Sequence, residues 1–183
     1  MANLRIANRY AEALLTTAEE MHILKNVSDD LTVIQRIIKE SHEFQLFLKS
    51  PVIKKEKKQI VFKATFGSSV QALTLRFLFL LIEKEREDAL PSVLDAFFRL
   101  QDEVLGIVHL RVITAVGLSP QQSMELKQRF EAYSKKKVFI DQSLDKQLIG
   151  GFVARIGDTV FDGSVKQQLK LLRMRFAEEL IVI

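Results

Sequence analysis

The sequence predicts a mostly α-helical chain with an α+β C-terminal part: an N-terminal six-helix bundle followed by a small α+β domain. Three observations carry that prediction. Apolar residues recur at helical spacing through six segments before residue 105. From Ile107 the period changes to two, the spacing of a strand. The stretch Leu148–Leu169, LIGGFVARIGDTVFDGSVKQQL, then holds four of the chain's seven glycines, so its backbone must turn sharply or approach another segment closely.

The first helix runs to about Met21, with Asn3 as its expected cap and Leu4, Ala7, Tyr10 or Ala11, Leu14 and Ala18 on one face. Ile6, Ala13 and Leu15 widen that face beyond the needs of a single packing partner. Asn26 or Ser28 is expected to cap a second helix with a stripe of Val27, Leu31, Ile34 and Ile38. A short third segment, Glu43–Lys49, ends at Ser50-Pro51, because the residue before proline avoids the α region. Lys54-Lys55-Glu56-Lys57-Lys58 opens a fourth helix closed by Gly67, its lysines read as a solvated face. Ser68 and Gln71 form a capping-box pattern before the fifth helix, Ala72–Glu85. Its centre, Phe77–Ile82, is apolar on every side and marks the core helix of this half. Pro91 lies in the first turn of a sixth helix through Val93, Leu94, Phe97, Phe98 and Leu100, stopped by Gly106.

The change of period places the domain boundary at Leu105–Ile107, giving domains 1–105 and 106–183 with no proline-rich or serine-rich linker between them. Beyond the first strand, Ser119, Pro120 and Gln122 start a helix with an apolar stripe of Leu126, Phe130 and Tyr133. Lys135-Lys136-Lys137 close it, where cations favour the carboxyl end of the helix dipole. Val138–Leu144 reads as the next strand. Gly150-Gly151 opens another, Gly157-Asp158 supplies left-handed turn residues of a tight hairpin, and Thr159–Phe161 returns. Asp162-Gly163 breaks the return strand, and Ser164 with Gln167 makes a capping box for the last helix. That helix carries Leu169, Leu172 and Phe176 on one face and ends in the apolar tail Leu180–Ile183, expected to be docked or sticky.

Composition excludes several function classes. The chain of 183 residues is 48% hydrophobic and 27% charged, which supports a packed core. It has no cysteine, hence no disulfide, thiol catalysis or common zinc site. The net charge of +4 is interspersed with acidic residues, and no aromatic residue is interleaved among the lysines to stack bases. Nucleic acid is therefore not the expected partner, although a basic adaptor binding RNA or an acidic partner is the alternative reading. The start carries no signal-peptide pattern, and the longest apolar run, Phe77–Ile82, is too short to span a bilayer. A soluble protein is expected, with any membrane association coming through a partner. His22, His42 and His109 share no motif, and no Walker loop or dinucleotide fingerprint occurs. Asp141, Asp145, Asp158 and Asp162 lack calcium-loop spacing and read as turn chemistry. Neither catalysis nor a cofactor is expected.

One set of residues goes further. Arg9-Tyr10-Ala11-Glu12-Ala13-Leu14, Ala89-Leu90-Pro91-Ser92-Val93-Leu94, Gly150-Gly151-Phe152 and Asp162-Gly163-Ser164 follow one another across nearly the whole chain. In that order the sequence resembles the delta subunit of rotary (F-type) ATP synthases, whose mitochondrial form is the oligomycin-sensitivity-conferring protein. Ala154 stands where the family commonly has a branched apolar residue, and the basic balance is not a family rule. The resemblance implies a non-catalytic stator subunit. Its N-terminal domain would bind helical segments of the catalytic head's alpha subunits, with Tyr10, Ala13 and Leu80 facing the partner. Its C-terminal domain would hold the b-type subunits of the peripheral stalk, with Gly150, Gly151, Phe152, Asp162, Gly163 and Ser164 as its signature. It also implies a peripheral position on the cytoplasmic face of a bacterial inner membrane, or the equivalent organelle face, reached only through the complex.

Overall fold

The computed structural model describes residues 2–179, so the apolar tail Leu180–Ile183 lies outside the described residues. The chain divides into two units, Met1–Gln101 and Asp102–Ile183. In the first, α1 (Ala2–Glu20), α2 (Leu24–Glu40), α3 (His42–Lys49), α4 (Lys55–Phe66), α5 (Ala72–Glu83) and α6 (Leu90–Leu105) follow in order, a 3-10 turn at Glu87–Ala89 preceding α6. The last residues of α6, from Asp102, belong to the second unit.

The helical stripes read from the sequence in this unit are largely the buried ones, apart from Leu4, which is 57% exposed, and Phe98 and Leu100, which are half-buried. Ala7, Ala11, Leu14 and Ala18 of α1, Val27, Leu31, Ile34 and Ile38 of α2, and Val93, Leu94 and Phe97 of α6 share one core with α5. Phe44, Phe47, Phe62 and Phe66 cluster with ring centroids 5.7–6.3 Å apart and tie α3 to α4. Offset and tilted pairs of this kind add to the area they bury.

Several local expectations are corrected. Asn3 lies inside α1, and α2 starts at Leu24 behind Ile23 with no side-chain cap, ahead of both Asn26 and Ser28. The Ser68–Gln71 box does not form. The Gln71 amide instead donates to Asp30 Oδ2 at 2.7 Å, and the Thr74 hydroxyl donates to the same oxygen at 2.7 Å. Asp30 and Thr74 are both buried, so a carboxylate from α2 satisfies the orphan donors at the start of α5. The lysine run is not all solvated either. Lys58 is 3% exposed and pairs with Glu87, with the Leu48 carbonyl 3.5 Å away. A buried ammonium is tolerated only when paired in this way.

The second unit is a four-stranded sheet with two helices. β1 (Ile107–Thr114) is followed by α7 (Pro120–Ser134), β2 (Lys137–Leu144), β3 (Phe152–Ile156), β4 (Thr159–Asp162) and α8 (Val165–Glu179). The strand order is β2-β1-β3-β4, with β1 parallel to β2 and antiparallel to β3. A parallel pair needs a crossover, and α7 provides it. Both halves of the Ser119–Gln122 capping box are made, with Pro120 at the first turn. Leu110, Val112, Val138 and Ala154 of one sheet face pack with Leu126 and Phe130 of α7. In the β3–β4 hairpin Ile156 pairs with Thr159, leaving the two-residue turn Gly157-Asp158. Only Gly157, at φ +53°, is left-handed, so the turn needs its glycine and not a left-handed aspartate.

Candidate functional site

The signature residues of the second unit meet at one crossing. The Gly163 amide donates to the Phe152 carbonyl at 2.9 Å and the Val165 amide to the Gly150 carbonyl at 3.0 Å. These bonds lay the start of β3 across the exit from β4. Gly151 sits between them at φ +80°, where a Cβ would collide with the Gly163 carbonyl oxygen and come within 3.0 Å of the Ser164 Cα. The glycine is required twice, by its left-handed backbone and by a backbone neighbour that cannot yield. Ser164 is buried and accepts from the Gln167 amide at 3.2 Å, capping α8. The reciprocal half of the expected box is absent: the Ser164 amide donates to Asp162 Oδ1 at 2.9 Å. Ser164, by its hydroxyl and its amide, holds the Asp162 carboxyl below its ordinary value.

This crossing launches α8 but does not cover it. Leu169, Leu172 and Phe176 lie one above another on a face that is 48%, 48% and 56% exposed, and Met174 is 47% exposed. Lone exposed apolar residues are ordinary, whereas these three recur along one helix. A second apolar feature opens at the same end. A cavity of about 600 Å³ is lined by Leu118, α7, Phe152 and Phe161, together with Asp162 and Gly163. Phe130 and Tyr133 meet Phe161 edge-on at 5.1 and 5.3 Å, forming an aromatic wall.

In the first unit, Tyr10 is half-buried and meets Phe77 of α5 edge-on at 6.4 Å, so α1 and α5 are neighbours there. One turn on from each, Ala13 is exposed and Leu80 is 40% exposed. Ile6, Tyr10, Ala13 and Thr17 recur at helical spacing beside the buried stripe of α1, and none of them is buried. The structure thus brings the Tyr10 and Leu80 helices together and leaves Ala13 and Leu80 accessible. Phe77, the residue joining them, was not singled out from the sequence, because an all-apolar run hides which member faces which neighbour.

The residues considered for chemistry lie at turns, a helix start and the sheet. His22 occupies the turn after α1 at φ +56°, and His42 opens α3. His109 lies between Asp102 and Asp141, its ring nitrogens 3.2 and 3.3 Å from their carboxylates. The Asp145 carboxylate accepts from the Gln147 amide at 2.8 Å, and Asp158 is in the hairpin turn. Among the described residues no group of three or more His, Cys, Asp or Glu side chains could hold a metal ion. Among them too, no helix is long and apolar enough to cross a membrane.

Comparison with known proteins gives a consistent picture. A family model described as ATP synthase delta (OSCP) subunit matches residues 6–176. The ATP synthase subunit delta of Chloroherpeton thalassium is 39% identical over 172 residues, 94% of each chain. That of Chlorobaculum parvum is 38% identical over 179 residues, covering 98% of this chain and 99% of the relative. A chain of the Toxoplasma gondii mitochondrial ATP synthase hexamer superposes with a TM-score of 0.68 at 22% identity, over 93% of this chain and 97% of that one, a likeness of fold.

Proposed function

The chain belongs to the ATP synthase delta (OSCP) subunit family, and we propose that its two units hold two different partners in the stator of that enzyme. Its function is that of a stator subunit in ATP synthesis. In this reading the first unit binds helical N-terminal segments of the alpha subunits, and the second binds the b-type subunits of the peripheral stalk. The chain catalyses nothing itself. It resists the torque of ion-driven rotation, and it reaches the cytoplasmic face of the membrane only through the complex.

The observation that supports this best is that each unit leaves an apolar helical surface open. An amphipathic helix laid against α1 and α5 would cover Ala13 and Leu80 without disturbing the Tyr10–Phe77 contact. A stalk helix lying along Leu169, Leu172 and Phe176, or entering the cavity beside Phe161, would complete the burial that α8 lacks.

The test is calorimetric titration of an alpha-subunit N-terminal peptide into the Ala13→Lys variant. Ala13 is exposed, so the free chain keeps its fold. Binding weakens by about 2–4 kcal/mol, the cost of desolvating an unpaired charge. Unchanged affinity in a folded variant would remove this face from the interface. A salt series separates the RNA-adaptor alternative, since counterion release makes nucleic-acid affinity fall steeply with salt.

A further inference from the structure

The sheet of the second unit has one face in the core and one with no buried residue. On the open face the register sets Asp141, Arg111, Arg155 and Val160 in one row across β2-β1-β3-β4, with Ile113 beside Val153 in the next. Arg111 and Arg155 are directly opposed on antiparallel strands. Like charges in that position destabilise a sheet, so the pair costs the free fold something. Among the described residues neither guanidinium makes an ion pair. The neighbouring Asp141 carboxylate is engaged by His109 Nδ1 at 3.3 Å, and the nearby Asp162 is engaged by the Ser164 amide. The Val160 side of the row is apolar and 51% exposed.

We propose that this face docks an acidic amphipathic helix of the peripheral stalk, its carboxylates bound by Arg111 and Arg155 and its apolar side on Ile113, Val153 and Val160. The inference rests on the reading that this unit holds the stalk, and it adds which chemistry the stalk presents. Guanidinium pairs recognise carboxylates bidentately. Opposed residues on neighbouring strands stand about 5 Å apart at Cβ, and side chains one helical turn apart stand about 5–6 Å apart. Two acidic residues spaced four apart therefore match the arginine pair when the helix lies across the strands. Such a helix removes the repulsion that the free fold tolerates.

The experiment titrates the water-soluble segment of the partner stalk subunit into the full chain, its Arg111→Gln/Arg155→Gln variant and its Arg155→Glu variant, at low and high salt. The double variant binds about tenfold or more weakly, with a flatter salt dependence, while its thermal midpoint stays level or rises. Arg155→Glu pairs with Arg111 inside the sheet, so its midpoint rises further as binding falls. That opposite movement of stability and affinity is not what a merely structural role produces. Wild-type affinity in the double variant overturns the proposal while leaving stalk binding intact. No binding by the unmodified chain overturns the stalk reading itself. Capture of single-stranded oligouridine by the unmodified chain, lost in the double variant, overturns the proposal in favour of nucleic acid.

Discussion

The two units achieve order by different means. Among the described residues the first buries twenty-two apolar side chains in one cluster, the second only six. Burial of that extent lets the first unit stand on its own core, since each large side chain removed from water contributes about 1.5–3 kcal/mol. The second unit, which is shorter, relies on backbone crossings and caps, and leaves α8 and one sheet face open. Anything that binds only the folded form of such a unit adds to its stability by mass action. The difference is one of means: a broad helical core at one end of the chain, and a small core fixed by backbone bonds and caps at the other.

The contrast is broken most severely at Gly151. Gly151→Val places a β-branched side chain at φ +80° against the Gly163 carbonyl, at a cost of about 3 kcal/mol or more. The second unit loses its cooperative transition, and the first keeps its own melting behaviour and its affinity for the alpha-subunit peptide. Differential scanning calorimetry with one peptide titration checks both; loss of both would mean that the units fold as one. The corresponding change in the first unit is Asp30→Ala. It strands the Gln71 amide and Thr74 hydroxyl, and costs about 2–3 kcal/mol. Urea unfolding followed by amide exchange should place that loss in residues of the first unit alone.

How far the sequence carried the fold depended on whether the deciding contact was local. Helices with a clear apolar stripe, the Ser119 box and the Gly157-Asp158 hairpin were legible because each signal lies within a few residues of what it controls. The start of α5 at Ala72 was legible but its cap was not, because Asp30 is 41 residues from the amide it receives. Lys58 was misread with its neighbours, since a run of lysines does not disclose which stem turns inward. Tyr10, Ala13 and Leu80 came from family resemblance, and the edge-on Phe77 contact that joins two of their helices is visible only in the fold. The opposed Arg111 and Arg155 follow from strand register, which neither residue announces.

The smaller effects sharpen the same comparison. Phe176→Ser alters an exposed side chain, so free-chain stability should stay within about 0.5 kcal/mol. Stalk affinity should fall, as paired thermal and binding measurements would show. Equal losses in both would mean that Phe176 is core. The least effect is that of acid on the α8 cap. Asp162 titrates below its ordinary 3.8 because Ser164 binds the ionised form. A depressed folded-state pKa adds stability above the unfolded value, lost as pH falls through the folded one. The Ser164 amide resonance should therefore shift in acid, below about pH 3.8, and Asp162→Asn should abolish that titration.

The Asp30 contact also ties the formation of one helix to the docking of another. Helix α5 holds the run Phe77–Ile82, apolar all round, the segment most apt to associate with another chain if it forms alone. Its first turn receives no side-chain cap of its own, so nucleation, already the costly step of helix formation, is left without local help. The missing acceptor arrives only when α2 has formed and come alongside. The most apolar helix of the first unit thus has its first turn completed by the same neighbour whose stripe helps to bury it, so one carboxylate couples the capping of α5 to the docking of α2.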